Sequence, residues 1–411
     1  MPVPSVGRAS RRIGPLGTVC SVNDLPTLTL ASGRDKKIRG RYPWVQRGEL
    51  VGGPTPKNGS VARLLDNEGR FLSVGTYNGA SRFPFRVYSL EDEPLDQEFF
   101  ARRFRQSFAL REKLVSDTDS KRVLFAEADG VPGLIVDDYA GHLVVQVRTL
   151  GGEKLRDQWL PAMLEVFVPK SIYEKSDMQG REEEGLDMVA RPLFGDCPPV
   201  VRMQESGLLL DVPVAEGLKT GGYLDQRNSR RLLAAQVKPG DKVLDCFCYT
   251  GGFALAASRA GAIAYGVDIH PVAVATARSN AVLNKLEVPF VEANAFDFLT
   301  DEAPSLGKFD WIVLDPPAIA KDKAKRDSLK WAIWKLVCRA LPVLAPGGRL
   351  VVCNCSYQLP LAETIDVCRL AANDVGKPLF LEGVTYQDLD HPAPVTFPES
   401  LYLKCVWLRS D

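Results

Sequence analysis

Four polar side chains recur at the ends of successive apolar segments in the C-terminal half of the chain. Asp245, Asp268, Asn294 and Asp315 each end or follow a short apolar run that predicts a β-strand. An aspartate after a strand is most often a helix cap, so each residue alone carries little weight. Four in succession indicate a ligand site, because open α/β sheets bind ligands at the carboxyl ends of their strands.

The segment Val243–Phe253 combines an apolar strand, a tight glycine turn and the start of a helix. Gly251 and Gly252 let the backbone approach a ligand closely, and the first N–H groups of the helix are free to bind it. The GxGxxG pattern of dinucleotide sites is absent, which argues against a nicotinamide-dependent dehydrogenase. A carboxylate at Asp245 would repel a pyrophosphate and attract the amino group of methionine. The candidate cofactor-binding residues of this segment are Asp245, Phe247, Tyr249, Thr250, Gly251 and Gly252.

The polar residues that follow along the chain suit a nucleoside. Asp268 ends the second strand, where a carboxylate can accept hydrogen bonds from both hydroxyls of a ribose. Asn294, followed by Ala295, can hydrogen-bond the edge of an adenine, and Phe296 can pack on the face of the ring. Asp315 begins the sequence Asp-Pro-Pro after the fourth strand. These five residues complete the predicted cofactor site.

The elements that must hold these residues predict an α/β fold. From residue 208 onward, apolar strands alternate with helices, which indicates a parallel sheet with crossover helices and hence a Rossmann-like domain. Leu379–Gln387 and Leu401–Arg409 predict a final antiparallel hairpin. The other predicted strands are Val243–Asp245, Ala264–Asp268, Phe290–Glu292, Trp311–Leu314 and Arg349–Cys353, and the predicted helices include Ala254–Ala260 and Val272–Leu283.

Two smaller domains are predicted before this sheet. Residues 25–90 contain short strands with frequent Gly and Pro turns, which suit a small β-barrel. Residues 97–118 have helical spacing, and the strands and helix that follow indicate an α+β domain. Residues 190–206 are predicted to be the passage to the next domain. The predicted divisions are a basic leader at 1–24, with disorder as its simplest interpretation, the barrel at 25–95, the α+β domain at 97–200 and the Rossmann-like domain at 205–411.

The composition limits the kinds of site and location. Of the 411 residues, 45% are hydrophobic and 25% charged, as in ordinary globular proteins. No apolar run approaches the ~20 residues of a membrane helix. The chain has nine cysteines without a CxxC pair and three histidines, which argues against a metal site and against a disulfide framework. We therefore expect a reduced, cytoplasmic protein without metal and without a membrane partner.

The charge is balanced overall but unevenly distributed. Residues 1–60 contain ten Lys and Arg against three Asp and Glu, and residues 99–123 contain seven against three. Local basic faces on a neutral chain suit a protein that holds and releases a polyanion such as RNA. A solvated surface explains such runs equally well.

Several longer segments carry a resemblance to a known family. They are Ser32–Leu50 (SGRDKKIRGRYPWVQRGEL), Glu127–Asp137 (EADGVPGLIVD), Lys219–Arg230 (KTGGYLDQRNSR) and His391–Lys404 (HPAPVTFPESLYLK). From about residue 25 the chain resembles the bacterial methyltransferases with a PUA domain that methylate carbon-5 of cytosine in large-subunit rRNA. The resemblance implies a PUA-like barrel, a class I methyltransferase domain, S-adenosyl-L-methionine as cofactor and 23S rRNA as substrate.

The resemblance also implies a cysteine nucleophile. Carbon-5 of a pyrimidine is a poor nucleophile, and a thiolate that adds to carbon-6 makes it enamine-like. The family's Ser-Cys-Ser motif corresponds here to residues 354–356, with Asn354 in place of the first serine. Cys355 is therefore the predicted nucleophile, and Cys353, on the same face of the strand, is a predicted core residue.

Two carboxylates are candidates for the remaining chemistry. Asp315 is the better candidate to hydrogen-bond the polar edge of the cytosine. Glu399, within the C-terminal matching segment, is a weaker candidate for removing the carbon-5 proton, and a solvated surface charge is its simpler interpretation. The base that takes this proton is left open by the sequence.

The target base must be flipped out or unpaired to reach such a site. The N-terminal barrel supplies basic residues for phosphates, and Tyr42 and Trp44 follow them. We expect Trp44 to be the core aromatic of the barrel. The basic residues of the barrel are Arg34, Lys36, Lys37, Arg39 and Arg41, and a second basic face is predicted at Arg102, Arg103 and Arg105.

Two other functions are compatible with the same residues. An rRNA methyltransferase acting on an amino group of guanine or adenine would use the Asp-Pro-Pro sequence and need no cysteine. A catalytically silent RNA-binding factor is opposed by the intact cofactor residues. The target nucleotide, the assembly state of the RNA substrate and the oligomeric state, for which a homodimer is one expectation, are not specified by the sequence.

Overall fold

The structure is a computed structural model that describes residues 24–53, 55–317 and 324–411. The predicted basic leader therefore lies, apart from Asp24, outside the described residues. The described chain forms a six-stranded, a five-stranded and a seven-stranded sheet, with a two-stranded hairpin between the last two.

The N-terminal sheet is a small barrel-like unit with strand order β2-β6-β5-β4-β1-β3. Alternating side chains of its strands, such as Leu28, Leu30, Ala62 and Leu64, fill one core together with Ile38 of the short helix. Its elements are β1 (Thr27–Leu30), α1 (Asp35–Arg39), β2 (Trp44–Val45), β3 (Leu50–Val51), β4 (Val61–Leu65), β5 (Phe71–Tyr77) and β6 (Phe85–Ser89).

The middle domain packs two long helices on a five-stranded sheet of order β11-β10-β9-β8-β7. Phe99, Phe100 and Phe104 recur at helical spacing in the first helix and are buried against the sheet. The elements are α2 (Gln97–Leu114), β7 (Ser120–Phe125), β8 (Leu134–Tyr139), β9 (His142–Val147), α3 (Leu150–Lys154), α4 (Arg156–Phe167), β10 (Ser171–Ser176) and β11 (Val189–Gly195).

The prediction of a plain passage at residues 190–206 is wrong. Val189–Gly195 pairs antiparallel with β10 as an edge strand, and β12 (Val201–Glu205) and β13 (Leu208–Val212) form the two-stranded hairpin. Pro192 hides the edge strand in the sequence, because proline is tolerated in a sheet mainly at an edge. Asn280 Oδ1 accepts from the backbone N–H of Asp211 at 2.7 Å, so the hairpin is bound to the next domain.

The C-terminal domain is a doubly wound sheet of order β16-β15-β14-β17-β18-β20-β19, with β20 antiparallel to both neighbours. This confirms the predicted α/β fold and the final hairpin, and the order is that of class I methyltransferases. The elements are α5 (Arg227–Gln236), β14 (Lys242–Cys246), α6 (Gly252–Arg259), β15 (Ile263–Asp268), α7 (Pro271–Leu283), β16 (Phe290–Glu292), α8 (Ala295–Asp301), β17 (Phe309–Leu314), α9 (Ala324–Ala340), β18 (Leu344–Asn354), α10 (Leu361–Val375), β19 (Leu379–Tyr386) and β20 (Lys404–Ser410).

Buried ion pairs join the middle and C-terminal domains. The Arg122 guanidinium donates to both oxygens of Asp137 at 2.7 and 2.8 Å, and Thr220 Oγ1 donates to the same carboxylate at 2.6 Å. Arg227 Nη1 donates to Asp388 at 2.7 Å, and its Nη2 donates to the carbonyl of Ser120 at 2.7 Å. Removing one partner of such a buried pair typically costs about 3–5 kcal/mol, so the two domains are held as one unit.

The barrel is attached to this unit by side chains that come from all three domains. Trp44 Nε1 donates to Glu127 at 2.9 Å, Arg86 donates to Glu127 and Glu184 at 3.1 and 2.9 Å, and Tyr42 donates to Glu399 at 2.8 Å. The three domains therefore enclose a common space instead of lying apart on linkers.

Candidate cofactor and catalytic site

Asp245 ends the central strand β14 in a fully buried position. Its Oδ2 accepts from the backbone N–H of Ala254 at 3.0 Å, while its Oδ1 has no hydrogen-bond partner. Burial raises the pKa of this carboxyl to about 8. A buried acceptor without a partner is costly, so the site is suited to a ligand that brings a donor or a positive charge.

The turn between β14 and α6 is tightly wound. Phe247, Tyr249 and Gly251 have φ angles of 65°, 49° and 88°, in the left-handed region. A Cβ at Gly251 would lie 2.7 Å from Cζ of Phe290, so this position must be glycine. Two non-glycine residues in this conformation store backbone strain of the kind that is found at binding sites.

Hydrogen bonds on both sides hold this turn in place. The hydroxyl of Tyr249 donates to the carbonyl of Gly221 at 2.9 Å, and the carbonyl of Thr250 accepts from Asn280 Nδ2 at 3.2 Å. Helix α6 begins at Gly252 without a side-chain cap. Its first N–H groups and the positive end of its dipole are therefore available to an anionic group such as a carboxylate.

Asp268 at the end of β15 is half-buried and already bound to the turn. Its two oxygens accept from the backbone N–H groups of Tyr249 and His270, each at 2.9 Å. Every carboxylate oxygen has a second lone pair, so both can still accept from the hydroxyls of a ribose. The structure thus holds the carboxylate in one fixed orientation next to the glycine turn.

Asn294 and Phe296 follow β16 as predicted, but the asparagine has a structural task as well. Its Oδ1 caps α8 by accepting from the backbone N–H of Phe296 at 2.9 Å. Its amide nitrogen is exposed to the site, and Ala295 between them is buried. The rings of Phe296 and Phe247 lie edge to face with centroids 6.3 Å apart, which brings two aromatic side chains from different strand ends together.

Asp315 at the end of β17 is bound by a residue that the sequence did not single out. Gln226 Nε2 donates to Asp315 Oδ2 at 3.0 Å. Burial and the nearby Asp225 carboxylate raise the pKa of Asp315 to about 7. Near neutral pH this carboxyl can therefore serve as either a donor or an acceptor of a hydrogen bond.

The two cysteines at the end of β18 have different surroundings. Cys353 is fully buried and lies opposite Cys405 in the neighbouring strand, as expected for a core residue. Cys355 packs against the same core but is partly exposed. Burial raises the pKa of the Cys355 thiol to about 11, and the positive charge of Lys219 opposes this shift. The thiol is thus not activated in this state.

Asn354, between the two cysteines, is buried and fixes the backbone at the end of the strand. Its Nδ2 donates to the carbonyl of Leu359 and to Thr364 Oγ1 at 3.0 and 2.9 Å, and its Oδ1 accepts from the N–H of Ser356 at 2.9 Å. An asparagine at this position therefore orients Cys355 through the loop that follows it.

A cavity of about 520 Å³ lies between the three domains, beside the end of β18. Trp44 lies at its rim, stacked on Phe83 at 4.3 Å and edge-on to Phe397 at 4.6 Å between ring centroids. The prediction that Trp44 belongs to the barrel core is therefore wrong, because its indole is half-buried at the domain interface. Other residues that line the cavity are Arg122, Arg148, Lys219, Tyr223, Asp225, Glu399 and Tyr402.

Glu399 is also not the solvated surface charge that the sequence suggested. One of its oxygens accepts from the Tyr42 hydroxyl, and the other is buried without a partner. It faces the cavity from the C-terminal hairpin segment, on the side of the barrel.

The structure adds a group of residues that the sequence reasoning did not assign. Lys219 Nζ lies 4.4 Å from the ring centroid of Tyr223, and that ring packs edge-on against Tyr249 at 5.0 Å. Burial and the charges of Asp315, Asp225 and Asp268 raise the pKa of Tyr223, so this ring separates the glycine turn from the cavity. The available signal was the match at Lys219–Arg230, which contains four of the five residues. The five are Lys219, Tyr223, Asp225, Gln226 and Tyr402.

Two structural findings bear on metals and membranes. Within residues 24–53, 55–317 and 324–411, no group of three or more His, Cys, Asp and Glu side chains is placed to hold a metal ion. In the same part of the chain, every helix is too short or too polar to span a bilayer.

Comparison with family models and known proteins gives consistent relatives. A family model described as a PUA-like domain matches residues 28–90, and one described as a methyltransferase domain matches residues 237–391. The ribosomal RNA large subunit methyltransferase I of Vibrio cholerae is 36% identical over 389 residues, which are 92% of this chain and 98% of that protein. The Aeromonas hydrophila protein of the same name is 35% identical and covers 93% and 99%.

Solved structures extend the likeness to the whole fold. A SAM-dependent methyltransferase from Streptococcus mutans superposes with a TM-score of 0.79 at 20% identity over 94% of this chain and all of that one. A methyltransferase crystallised with S-adenosylhomocysteine gives a TM-score of 0.82 at 21% identity with the same coverage. The three-domain arrangement is therefore shared with methyltransferases of low sequence identity.

Proposed function

Because this chain belongs to the family of the ribosomal RNA large subunit methyltransferases I, we propose that it methylates carbon-5 of a cytosine in 23S rRNA, with S-adenosyl-L-methionine as methyl donor. The observation that carries the choice of cytosine carbon-5 is the position of Cys355. Its thiol lies at the carboxyl end of β18, within the charge field of Asp315 and Lys219. A methyltransferase that acts on an amino group has no use for a thiol there.

The residues around the glycine turn suit the cofactor. The buried and unpartnered Oδ1 of Asp245 is an acceptor for the methionine amino group, and the uncapped start of α6 at Gly252 suits its carboxylate. Asp268 is oriented to accept from the ribose hydroxyls, and Phe247 and Phe296 form an aromatic corner for the adenine. The bound cofactor supplies an electrophilic methyl group.

The remaining groups have roles on the cytosine. The sulfur of Cys355 adds to carbon-6 after its proton leaves, and the protonated carboxyl of Asp315 donates a hydrogen bond to ring nitrogen N3, which gains electron density. Carbon-5 then forms its bond to the methyl carbon. A base removes the carbon-5 proton, and the electron pair of that C–H bond restores the ring double bond as the C–S bond breaks. Glu399, which faces the cavity with an unpartnered oxygen, is the candidate base.

The raised pKa of Cys355 sets a requirement for this mechanism. A thiol with a pKa of about 11 is almost wholly protonated at neutral pH, so positive charge or a proton acceptor must favour the thiolate in the loaded enzyme. Lys219 supplies such a charge. Asp315, with a pKa of about 7, can accept the thiol proton and pass it to the ring.

A trapping experiment tests this function. A fluorine at carbon-5 cannot leave as a proton, so 23S rRNA that contains 5-fluorocytosine should remain covalently bound through Cys355 when cofactor is present. Cys355→Ala should lose both the product and the adduct and still bind cofactor. Cys353→Ala is the matched control, since it removes a buried thiol of the same strand and should retain most activity. Methylation by Cys355→Ala, or an adduct at Cys353, would contradict the proposal.

The raised pKa of Cys355 also favours a second candidate function. An rRNA methyltransferase acting on an exocyclic amino group would use Asp315 and the following two prolines and would leave the thiol protonated. Digestion of the methylated RNA separates the two, because 5-methylcytidine and an N-methylated purine nucleoside are different products. A silent RNA-binding factor would give neither product.

RNA is the proposed partner of the barrel and of the cavity. Arg34, Lys36 and Arg41 are exposed on the barrel and form no ion pair with other described residues, while Arg39 pairs with Asp35. Unpaired cations on one face are suited to phosphate contacts. With ribosomal RNA as substrate, the expected location is the cytoplasm. A homodimer stays a prediction.

A further inference from the structure

Asp225 lies at the boundary between the cavity and the methyl-transfer residues. It belongs to the short 3-10 turn Leu224–Gln226 and lines the cavity beside Tyr223 and Tyr402. The next residue, Gln226, points the other way and donates to Asp315. Two consecutive residues therefore connect the cavity to the carboxyl group that we assign to N3 of the cytosine.

The carboxylate of Asp225 is buried and only half satisfied. One oxygen, Oδ2, accepts from the hydroxyl of Tyr402, and the other, Oδ1, has no hydrogen-bond partner. The side chain is 5% exposed, and no Lys or Arg among the described residues forms an ion pair with it. An unpartnered acceptor in this position is costly unless a ligand donates to it.

The surroundings keep this carboxylate charged. Burial acts against ionisation, but the positive charge of Lys219, together with His391 and the Tyr402 hydroxyl, holds the pKa of Asp225 below its usual value. A charged carboxylate accepts hydrogen bonds and cannot donate them. The missing ligand group must therefore be a donor.

Cytosine and uracil differ in this respect at the position next to carbon-5. Cytosine carries an amino group on carbon-4, which donates, whereas uracil carries a carbonyl oxygen, which accepts. The thiol that is proposed to attack carbon-6 lies in the charge field of Asp225. A ring with carbon-6 toward Cys355 can present its other edge, N3 and the amino group, to the two carboxyl groups.

We propose that Asp225 is the specificity-determining residue that binds the exocyclic amino group of the target cytosine and rejects uracil. This inference rests on the proposed cytosine carbon-5 function. The carboxylate attracts the amino group of cytosine, and it repels the carbonyl oxygen of uracil because neither group can donate. Asp315 contacts N3, and Asp225 adds the contact that distinguishes the two bases.

The test begins with mapping of the methylated nucleotide and uses RNA fragments that differ only there. The target is cytosine, uracil or pyrimidin-2-one, the last of which lacks the amino group. The full-length protein and Asp225→Asn are compared by single-turnover kcat/KM, by RNA affinity and by cofactor affinity. Asp138→Asn is the control, since Asp138 is also a largely buried aspartate but lies in the middle domain and does not line the cavity.

We expect the unmodified protein to prefer cytosine over uracil and to bind the pyrimidin-2-one RNA about 10-fold or more weakly than the cytosine RNA. Asp225→Asn should reduce the cytosine-to-uracil ratio of kcat/KM by about 10- to 100-fold, with cofactor affinity within about twofold. Asp138→Asn should retain the original ratio. The pyrimidin-2-one measurement needs no variant, so it stands even if Asp225→Asn fails to fold.

Three results would overturn the inference while leaving the proposed function intact. The first is an unchanged base preference in folded Asp225→Asn that still forms 5-methylcytidine. The second is equal affinity for RNA with and without the amino group. The third is a loss of cofactor affinity with the base preference retained, which would make Asp225 a cofactor ligand. Absence of 5-methylcytidine with the unmodified protein would instead refute the proposed function.

Discussion

Asp245 gives a prediction in which stability and function move in opposite directions. In an unfolded chain this carboxyl ionises near its ordinary pKa of 3.8, whereas in the folded protein burial raises its pKa to about 8. The folded state therefore keeps a proton that the unfolded state loses. The cofactor-free protein should lose stability as the pH rises from about 4 to about 8 and lose no more from this group above that range.

The size of the effect follows from the two pKa values. Each pKa unit is worth about 1.4 kcal/mol, so at pH 7 the difference amounts to about 4 kcal/mol before relaxation of the surroundings reduces it. Asp245→Asn removes the charge and retains an oxygen for the N–H of Ala254. We expect this variant to unfold about 5–10 °C higher than the original at pH 7–8, and within a few degrees of it at pH 5.

Scanning calorimetry between pH 5 and pH 8, without cofactor, measures this difference. Asp138→Asn is the matched control, because burial raises the pKa of Asp138 to only about 6 and the residue lies outside the candidate site. Its gain should be smaller and complete by about pH 6. If the advantage of Asp245→Asn failed to grow between pH 5 and pH 8, the assignment of an uncompensated buried carboxyl would be refuted.

The same variant should bind the cofactor poorly although it is more stable. A methionine amino group next to Asp245 would favour the ionised carboxylate, so binding below pH 8 should release a proton from this residue. Calorimetric titration in two buffers of different ionisation enthalpy measures that proton. Unchanged cofactor affinity in Asp245→Asn would separate the residue from the cofactor site and leave its burial as a purely structural feature.

Three further predictions concern the ribose, the turn and the RNA. Asp268→Ala should weaken cofactor binding by ~1–3 kcal/mol, and unchanged affinity would contradict the ribose assignment. Gly251→Ala should abolish cofactor binding, because its Cβ meets Phe290, whereas Gly240→Ala has the same φ of 88° with open space around the Cβ and should cost only about 1–2 kcal/mol of stability. Alanine at the three unpaired barrel cations should lower the salt dependence of RNA affinity by about 0.7 per lost contact, and an unchanged slope would exclude these residues from RNA binding. The three are Arg34, Lys36 and Arg41.

The C-terminal fold could be predicted because its signals are local. The apolar strand Lys242–Cys246 and the glycine turn after it occupy ten consecutive residues, and each of the next strands ends in a polar residue. Strand Val189–Gly195 could not be predicted, because Pro192 and a short apolar pattern are typical of loops as well as of edge strands. Its place is decided by pairing with β10, which is a tertiary contact.

The candidate site divides in the same way. The residues assigned to the cofactor lie at strand ends, where sheet topology alone brings them together. The cavity depends on contacts between residues far apart in the chain, such as Tyr42 with Glu399 and Asp225 with Tyr402. The position of Trp44 at the domain interface has the same cause, since no local pattern distinguishes an aromatic residue of a barrel core from one that packs on another domain.

Burial has one common consequence for the groups at the strand ends. It raises the pKa values of Asp245, Asp315 and Cys355 to about 8, 7 and 11, so none of the three is readily charged in the cofactor-free state. Asp225 differs, because Lys219 and its other neighbours keep it ionised. A cationic ligand near Asp245 and an amino group at Asp225 would each relieve an unpartnered acceptor. The thiol at Cys355 would then become a nucleophile only when both ligands are bound, which protects a reactive cysteine in the empty enzyme.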